Sequence, residues 1–380
     1  MAYRILHFAD LHLDKSFVAD GISPDYGRER RLGLKAALTR ILAIAREQKV
    51  NAITIGGDLF NQDYVTPETG DFLINQFQQL DPIRVVIAPG ESDPYNNDSI
   101  YQRLNWPENV DVFYQSKLLP LELTPEITIW GATHPVLSAD KILTKSKLDP
   151  EKVQILLLHA WVGARASRDS VLTFEERFIR EAGFKLSLLG HDHSRRIWPE
   201  NNPLFIYPGS PEPLAYNQNQ SDGGAVLVII EGNICTAKPI SMSQWKYANV
   251  KIDITGSSNI NELALKVEKG LKSVPYLDPD HTTFMVEVQG PLDFGFDLIK
   301  LQQTLSRPYF ICWQPKIRLP YDLKKISQEN TVRGLFVKRL LDRLDLCKTE
   351  MERQRILTAL NAALSVMDGK EAGLYEISEY

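Results

Sequence analysis

The sequence has few cysteines and no long apolar run, and each shortage excludes a class of protein. The three cysteines, Cys235, Cys312 and Cys347, are odd in number and far apart, which predicts neither a disulfide framework nor a CxxC metal clip. No apolar stretch approaches the roughly 18–20 residues that span a bilayer. The first residues include acids and histidines where a signal peptide would have an apolar core. We therefore expect a cytoplasmic protein with reduced thiols and no membrane association.

Positive charge is also in short supply. The formal net charge is −5, whereas a protein that coats nucleic acid with its whole surface is usually basic. A local basic groove, or a partner that provides most of the DNA contacts, stays open. At 380 residues, with 43% apolar and 24% charged residues, the composition is ordinary for a globular protein, and the chain is too long for one core. Two domains with an appendage are therefore expected.

Short β-branched segments alternate with helical patterns through the first two-thirds of the chain. Leu32–Gln48 predicts an amphipathic helix, and Pro67–Leu80 predicts a second helix with Thr66 as its N-cap. The predicted strands are Tyr3–Ala9, Ala52–Ile55, Arg84–Ala88, Val110–Tyr114, Leu118–Leu123, Ile127–Trp130, Val153–Leu158, Leu186–Leu189, Leu204–Tyr207 and Gly224–Glu231. Candidate metal ligands follow several of these strands, where open α/β folds place their sites.

A change of composition near Gln244 predicts a domain boundary there. Residues 1–243 form the predicted first domain, 244–322 an α+β domain without a catalytic cluster, and 323–380 a helical segment. The elements expected after the boundary are strand Ala248–Ile254, helix Asn259–Ser273, strand Thr283–Gln289, helix Phe294–Leu305, strand Phe310–Pro315, and helices Thr331–Leu346 and Glu350–Met367. The terminal stretch, Glu371–Tyr380, is expected to fray.

Four of the seven histidines follow predicted strands, together with two aspartates. These residues are Asp10, His12, Asp58, His159, His191 and His193. Each histidine alone would be interpreted as a structural or surface residue, but the combination is a mixed oxygen and nitrogen set suited to manganese, iron or zinc rather than calcium. A carboxylate such as that of Asp58 can bridge two ions. Paired metals clamp the attacking and leaving oxygens of a phosphoryl displacement.

These motifs resemble those of the calcineurin-like metallophosphoesterases, in the DNA repair exonuclease branch that includes SbcD and YhaO-like proteins. The resemblance rests on Phe8-Ala9-Asp10-Leu11-His12-Leu13-Asp14, Gly56-Gly57-Asp58-Leu59-Phe60, Leu158-His159, Gly190-His191-Asp192-His193 and Tyr207-Pro208-Gly209-Ser210. It covers residues 1–230 well and the remainder by architecture only. It implies an α/β fold, in which a β-sandwich flanked by helices is followed by a small α+β capping domain and C-terminal helices.

The resemblance also implies a role for each ligand. The two predicted metals, manganese in the first place and iron or zinc as alternatives, would activate water or hydroxide as the nucleophile. The first metal would be held by Asp10, His12 and His193, the second by His159 and His191, and Asp58 would bridge them.

The segment Pro89-Gly90-Glu91-Ser92-Asp93 departs from the family, which has Gly-Asn-His-Asp there. Glu91 replaces an asparagine that binds the second metal, so it keeps an oxygen ligand and adds negative charge. Ser92 replaces the histidine that protonates the leaving group or steadies the transition state, and general acid catalysis contributes about 10²–10⁴-fold. Asp93 orients that histidine in the family and has no such partner here. We expect the site still to bind metal. We expect hydrolysis to be slowed, or narrowed to fewer substrates.

Two interpretations of this variant site stay open. The first is a metal-dependent phosphodiesterase or DNA nuclease of the SbcD type, in which Glu91 or Glu212 could replace the missing acid. The second is a non-catalytic pseudo-nuclease that binds DNA as a scaffold for an SMC-like ATPase. A small-molecule phosphodiesterase is less favoured, because the α+β and helical regions suit a polymer and a partner.

Further predictions concern substrate and partners. Arg165, Arg195 and Arg196 are candidate phosphate contacts, although they could equally belong to ordinary solvated loops. The resemblance implies that the C-terminal helices dock onto an SbcC-like coiled-coil ATPase, with a self-packed helical hairpin as the alternative. It also implies a homodimer through Pro67–Leu80 and residues 98–104.

The remaining histidines and several tryptophans have weaker signals. His7 is expected to pack within the sheet and His281 to lie on the surface, whereas His134 has a family-like setting near the site. Trp161, Trp198 and Trp313 could stack on bases, or could anchor the core as tryptophans more often do.

Overall fold

The structure is a computed structural model that describes residues 2–17, 24–134, 148–163, 172–216, 223–275, 278–291, 294, 298–318, 321–369 and 377–379. The chain divides into two compact units. The first comprises residues 1–17 and 27–245, and the second comprises residues 18–26 and 246–380. The further division predicted at residues 322 and 323 stays a prediction. In the described ranges no helix is both long enough and apolar enough to cross a membrane.

In the described part of the first unit, two six-stranded sheets form the framework. The strands, numbered along the chain, are Tyr3–Phe8 (β1), Ala52–Ile55 (β2), Arg84–Ile87 (β3), Val110–Val112 (β4), Leu119–Thr124 (β5), Ile127–Gly131 (β6), Val153–His159 (β7), Trp161–Val162 (β8), Thr173–Phe174 (β9), Leu186–Gly190 (β10), Arg196–Trp198 (β11), Phe205–Tyr207 (β12), Gly224–Glu231 (β13) and Ile234–Ser241 (β14). β8 and β9 form a small separate pair.

The two sheets bring parallel strand ends to a common edge. Their strand orders are β14-β13-β1-β2-β3-β4 and β11-β12-β10-β7-β6-β5. β1 to β4 run parallel in the first sheet, and β6, β7, β10 and β12 run parallel in the second. Apolar side chains from both sheets, among them Ile5, Val86, Ile155 and Leu188, share one buried core. This is sheet-on-sheet packing, in which alternate side chains of each strand point inward.

Helices flank this framework. They are Pro24–Glu47 (α1, which belongs to the first unit from Gly27 onward), Pro67–Gln78 (α2), Ile100–Arg103 (α3) and Glu176–Ala182 (α4). Proline opens both α1 and α2, a position where its missing N–H is no loss. The Thr66 hydroxyl accepts the Thr69 amide at 3.3 Å and caps α2 as predicted. Ile179 of α4 packs in a core cluster with Phe205 on β12, so α4 covers the second sheet.

The second unit combines a parallel sheet with helices. Among its described residues, the strands lie side by side in chain order, Lys246–Asp253 (β15), Thr282–Pro291 (β16), Phe310–Arg318 (β17) and Ile377–Glu379 (β18). Its helices are Ile260–Lys272 (α5), Leu298–Thr304 (α6), Leu323–Ile326 (α7), Val332–Asp345 (α8) and Glu350–Met367 (α9), with a 3₁₀ turn at Pro279–His281. Val250, Leu263, Val286 and Ile311 form the sheet–helix core.

The mixed α/β fold with helix-flanked sheets is confirmed. Several details differ. The predicted fraying of Glu371–Tyr380 is wrong for Ile377–Glu379, because these residues pair with β17 as an added parallel strand. Helix α1 begins at Pro24 rather than at Leu32. Strands β8, β9, β11 and β14 have no predicted counterpart, since β8, β9 and β11 are very short and β14 contains Pro239. Phe294 lies outside the helix predicted from it, which begins at Leu298 among the described residues.

Candidate metal centre

The loops that follow the strands contain an unusual concentration of left-handed backbone. The described non-glycine residues with positive φ are Asp10 (55°), His12 (51°), Asp14 (59°), Lys49 (49°), Asp58 (52°), His191 (94°) and Asn202 (51°). Such conformations are uncommon for residues with a Cβ atom and cluster at functional sites. Three of them are predicted metal ligands after β1 and β2, and His191 follows β10, so the strain coincides with the predicted site.

Glycines allow the two sheets to meet at this edge. A Cβ atom on Gly190 would lie 2.1 Å from the Gly56 carbonyl oxygen, and one on Gly90 would lie 2.3 Å from Oδ1 of Asp58. Neither approach is compatible with any side chain. The motif glycines are therefore needed because backbone from one loop touches a ligand or a neighbouring strand.

Three groups of side chains bring potential ligand atoms within 4.8 Å of one another. The groups are Asp10, His12 and His193; Glu91, His159 and His191; and Asp10, Asp58 and His159. The first two coincide with the sets predicted for the two ions. Oδ2 of Asp58 lies 3.3 Å from Nε2 of His12 and 3.7 Å from Nε2 of His159. One carboxylate therefore faces both sets, as a bridging ligand must.

Two buried imidazole nitrogens indicate that a cation fits here. Nδ1 of His159 is 2.9 Å from the Gly56 carbonyl, and Nδ1 of His12 is 2.9 Å from Oδ1 of Asn61. Both partners are acceptors, so Nδ1 carries the proton and Nε2 keeps its lone pair. In the described part of the chain neither Nε2 atom has a hydrogen-bond partner, although both are buried. Metal-binding histidines are oriented by this kind of second hydrogen bond.

The two buried aspartates of the site have pKa values that are shifted in opposite directions. Burial raises the pKa of Asp10 to about 8, and the neighbouring charge of Asp58 adds to the rise although His159 opposes it. For Asp58, burial acts upward but is outweighed by His159 and His12, and its pKa lies below the ordinary value. Burial lowers the pKa of His159, but Asp58 and Asp10 reverse that effect and raise it. Buried carboxylates of this kind are stabilised in ionised form by a cation.

The variant segment makes direct contacts with Asp58. The Ser92 amide donates to Oδ1 of Asp58 at 2.8 Å, and the Ser92 hydroxyl donates to Oδ2 at 2.9 Å. Oε2 of Glu91 lies 3.7 Å from Nδ1 of His191. Ser92 therefore holds the orientation of the bridging carboxylate, while Glu91 is placed where the predicted second metal needs an oxygen.

Asp93 holds the backbone of the loop that contains Asp58. Its buried carboxylate accepts the amides of Asp58 at 2.9 Å, Leu59 at 2.8 Å and Gly90 at 2.6 Å, and the Tyr101 hydroxyl at 2.7 Å. Burial, with the charge of Asp58, raises its pKa to about 7, and these hydrogen bonds oppose the rise. Asp93 thus has a different task from orienting a histidine, because it fixes the strained backbone of Asp58.

The arginines predicted to contact substrate have different surroundings. Arg196 lies 3.3 Å from Asp192 and its guanidinium is over the rings of Trp161 and Trp198, at 5.4 and 4.8 Å. Arg195 contacts the Ser241 hydroxyl at 3.3 Å. Arg165 lies outside the described residues. Glu212 is buried and accepts from Arg40 at 2.5 Å and from the Trp245 amide at 3.0 Å. These contacts occupy its carboxylate as an acceptor, so Glu212 is an unsuitable acid.

The other histidines and Trp313 occupy the expected surroundings. His7 is buried between the two sheets, with Nδ1 3.0 Å from the Thr54 hydroxyl and Nε2 3.1 Å from the Leu189 carbonyl. Burial lowers its pKa to about 4, so it is neutral. His281 is on the surface, 2.7 Å from Asp278. Trp313 is buried in the core of the second unit and is not available to bases.

Sequence reasoning did not identify Asn61 and Tyr101 as parts of the site. Asn61 follows the Gly-Gly-Asp-Leu-Phe motif directly, so proximity in sequence was an available signal. Tyr101 lies on α3 and gave no local signal, because its contact with Asp93 depends on how the loop folds back.

Comparison with known proteins agrees with this geometry. The model of the calcineurin-like phosphoesterase family matches residues 3–195. The metallophosphoesterase YhaO of Bacillus subtilis is 26% identical over 278 residues, covering 69% of this chain and 66% of the relative. The DNA double-strand break repair protein Mre11 of Aeropyrum pernix is 22% identical over 291 residues, covering 71% and 68%. The chain therefore spans about two thirds of the length of each relative.

Solved structures give a weaker likeness. A dimetal phosphatase from Danio rerio is 12% identical, covers 63% of this chain and 99% of that chain, and has a TM-score of 0.37. The family assignment rests on the family model.

Proposed function

This chain belongs to the calcineurin-like phosphoesterase family, and on that premise we propose that it is a metal-dependent phosphodiesterase that acts on DNA as an SbcD-type nuclease. The family hydrolyses phosphoesters with divalent metals, and the ligand groups of this chain suit that chemistry. We propose manganese as the metal, with iron or zinc as alternatives, because the donor set mixes imidazole and carboxylate.

The observation that supports this proposal most strongly is the pair of buried Nε2 atoms of His12 and His159. Both lack hydrogen-bond partners in the described part of the chain and lie near the same oxygen of Asp58. An unpaired buried polar atom costs about 1–3 kcal/mol, and a protein retains two such atoms where a ligand satisfies them. Asp10, His12 and His193 would hold one ion, Glu91, His159 and His191 the other, and Asp58 both.

Metals bound there would lower the pKa of a water molecule and stabilise the charge that develops on the phosphate oxygens. The residues of the chain have complementary tasks. Ser92 holds the Asp58 carboxylate, Asp93 holds its backbone, and Arg195 and Arg196 are proposed to bind substrate. Because the Ser92 hydroxyl donates to Asp58, Ser92 is not an acid, and we propose slowed or narrowed hydrolysis.

A non-catalytic DNA-binding pseudo-nuclease is the second candidate, and the engagement of Ser92 with Asp58 favours it. In that case the site would keep its metals and its fold but would not cleave DNA. The scaffold would serve an SMC-like ATPase.

We further propose an SbcC-like coiled-coil ATPase as the partner of the C-terminal helices. α8 and α9 bury Val337, Leu344 and Leu357 together, which is the hairpin expected as the alternative. However, Leu335 is 54% exposed and Leu346 is 78% exposed, so an apolar surface is left over from that packing. The homodimer through α2 and α3 stays a proposal.

The proposed activity is tested by hydrolysis of bis(p-nitrophenyl) phosphate and of a linear DNA with added manganese. The variants are Asp58→Ala, Ser92→His and Ser92→Ala. Activity in the wild type that disappears in Asp58→Ala supports the enzyme. Ser92→Ala separates the two effects of Ser92→His, because both lose the hydroxyl that donates to Asp58 and only one gains an imidazole.

The same set of variants distinguishes the pseudo-nuclease. Absence of hydrolysis in the wild type and in Ser92→Ala, with activity gained in Ser92→His, would establish a scaffold that lacks only the acid. Absence of hydrolysis in every variant, with and without an added ATPase partner, would contradict the enzyme outright.

A further inference from the structure

One histidine outside the ligand groups lies beside the variant segment. The amide of His134 donates to the carbonyl of Pro89 at 3.1 Å, immediately before Gly90 and Glu91. One residue earlier, the Thr133 hydroxyl accepts the amide of Tyr95 at 2.9 Å. The loop after β6 therefore bonds to the chain on both sides of Ser92, at Pro89 and at Tyr95.

The side chain of His134 is in an unusual state. It is half-buried, and among the described residues its Nδ1 atom is buried without a hydrogen-bond partner. The same condition marks Nε2 of His12 and His159, which face the predicted metals. Burial lowers the pKa of the His134 ring, the charge of Glu91 acts against this fall, and smaller effects come from His159 and Asp58.

We propose that His134 supplies, from a different loop, the proton donor that Ser92 no longer supplies. This inference rests on the proposed function. It concerns one step of the reaction, in which a water oxygen forms a bond to phosphorus and the bond from phosphorus to the leaving oxygen breaks. The electron pair of the broken bond stays on the leaving oxygen, which takes a proton from the His134 ring. The water proton passes to solvent, and His134 is reprotonated from solvent.

The structure favours this role for His134 over the other nearby groups. The Ser92 hydroxyl is committed to Asp58, and Glu91 belongs to a ligand group. Glu212 is bonded to Arg40 and to the Trp245 amide. His134 is a titratable side chain with an unused nitrogen, and no predicted ligand set requires it.

The test compares substrates that differ only in the leaving group. Thymidine 5′-(p-nitrophenyl phosphate) releases p-nitrophenolate, which needs no proton, whereas thymidylyl-thymidine releases an alkoxide, which does. His134→Ala and His134→Gln are expected to lower kcat for thymidylyl-thymidine by about 10²–10⁴-fold and to leave the p-nitrophenyl ester nearly unchanged. His281→Ala, which removes an exposed histidine of the second unit, is the matched control. Ser92→His in the His134→Gln background should recover the lost activity.

Manganese affinity, measured by calorimetry, gives a readout independent of turnover and should be the same in the wild type and both His134 variants. A loss of affinity would make His134 a metal ligand and overturn the inference. An equal loss on both substrates would also overturn it. If the wild type hydrolyses neither substrate, the proposed function fails and the inference with it. If it hydrolyses both and the variants do not discriminate between them, only the inference fails.

Discussion

The two units of this chain differ in how many non-glycine residues have a left-handed backbone conformation. All described non-glycine residues with left-handed φ, and all three ligand groups, lie in the first unit. In the second unit the described residues with positive φ are Gly256, Gly290 and Gly369. Its helices α5, α8 and α9 are capped by Asn259, Thr331 and Thr349, whose side chains accept amides of the first turn.

This difference shows where conformational strain is retained. A residue in a sparsely populated backbone region costs about 1–3 kcal/mol, and the first unit has several such residues within one set of loops. In its described residues the second unit builds its core from regular strands and capped helices, without non-glycine residues of this kind. Strain therefore coincides with the ligands and is not a general property of the chain.

The largest expected effect concerns the bridging carboxylate. Asp58→Asn keeps the size of the side chain and tolerates a left-handed φ, but it removes the charge that faces both ligand sets. Manganese affinity should fall by more than about 100-fold, beyond the 10–100-fold typical of residues that only support a ligand. Asp253→Asn, at an exposed aspartate of the second unit, is the control and should bind as the wild type does.

Hydrogen exchange extends this comparison to whole units. At 100 times its Kd, manganese stabilises the state that binds it by about 2.7 kcal/mol. The loops after β1, β2 and β10 should gain protection in the wild type and not in Asp58→Asn. Equal protection of the amides in β15 and β16 would remove the distinction between the units.

An intermediate effect is expected for Tyr101→Phe. The change deletes one of four hydrogen bonds to the buried Asp93 carboxylate. The free energy of unfolding should fall by about 1.5–3 kcal/mol, the range for hydrogen bonds to charged groups. Manganese affinity should fall by roughly 10-fold, because Asp93 fixes the backbone of Asp58. Urea titration and calorimetry measure the two quantities.

Tyr95→Phe is the matched control for this prediction. Its ring stacks on that of Tyr101 at 6.5 Å, so the aromatic contact is the same while the bond to Asp93 is kept. If both variants lose manganese affinity equally, Tyr101 acts through ring packing and not through its hydroxyl.

The smallest effect is expected in the second unit, at Glu268. Hydrogen bonds from Lys272 and from the Ser306 amide lower its pKa to about 2. A pKa below the unfolded value means that the stabilisation is complete above about pH 4.5 and is lost as the pH falls toward about 2. Glu268→Gln should cost about 1 kcal/mol at pH 7 and nothing at the acid end. Urea unfolding across this range should show no such trend for Glu108→Gln, at an exposed residue of the first unit.

Much of the fold could be predicted, because periodicity and composition are local. Ala52–Ile55 and Gly224–Glu231 form strands at the predicted bounds, and Glu350–Met367 forms the predicted helix. Strand β18 could not be predicted, since Ile377–Glu379 is extended only by pairing with the distant β17. Strand β14 contains Pro239, and its pairing with β13 decides its structure.

The ligands of the site could be predicted from motif spacing, whereas their supports could not. Asp10 and His12 are two residues apart on one loop, and their types alone suggest a metal. The bonds of Ser92 to Asp58, and of Asp93 to the amides of Asp58 and Leu59, depend on loops that are distant in sequence. Only the folded chain reveals that the variant segment still serves the bridging carboxylate.

His7 has a mechanical consequence for this site. It ties Thr54 of the first sheet to Leu189 of the second, close to where Asp10 accepts the His191 amide at 3.0 Å. Residues on a strand are spaced about 3.3 Å apart, so a slip of one residue between the sheets would pull His191 and His193 out of reach of Asp10. The contacts of His7 thus set the distances between ligands on the two sheets. A substitution that weakens these contacts would change those distances and lower metal affinity, although His7 is not itself a ligand.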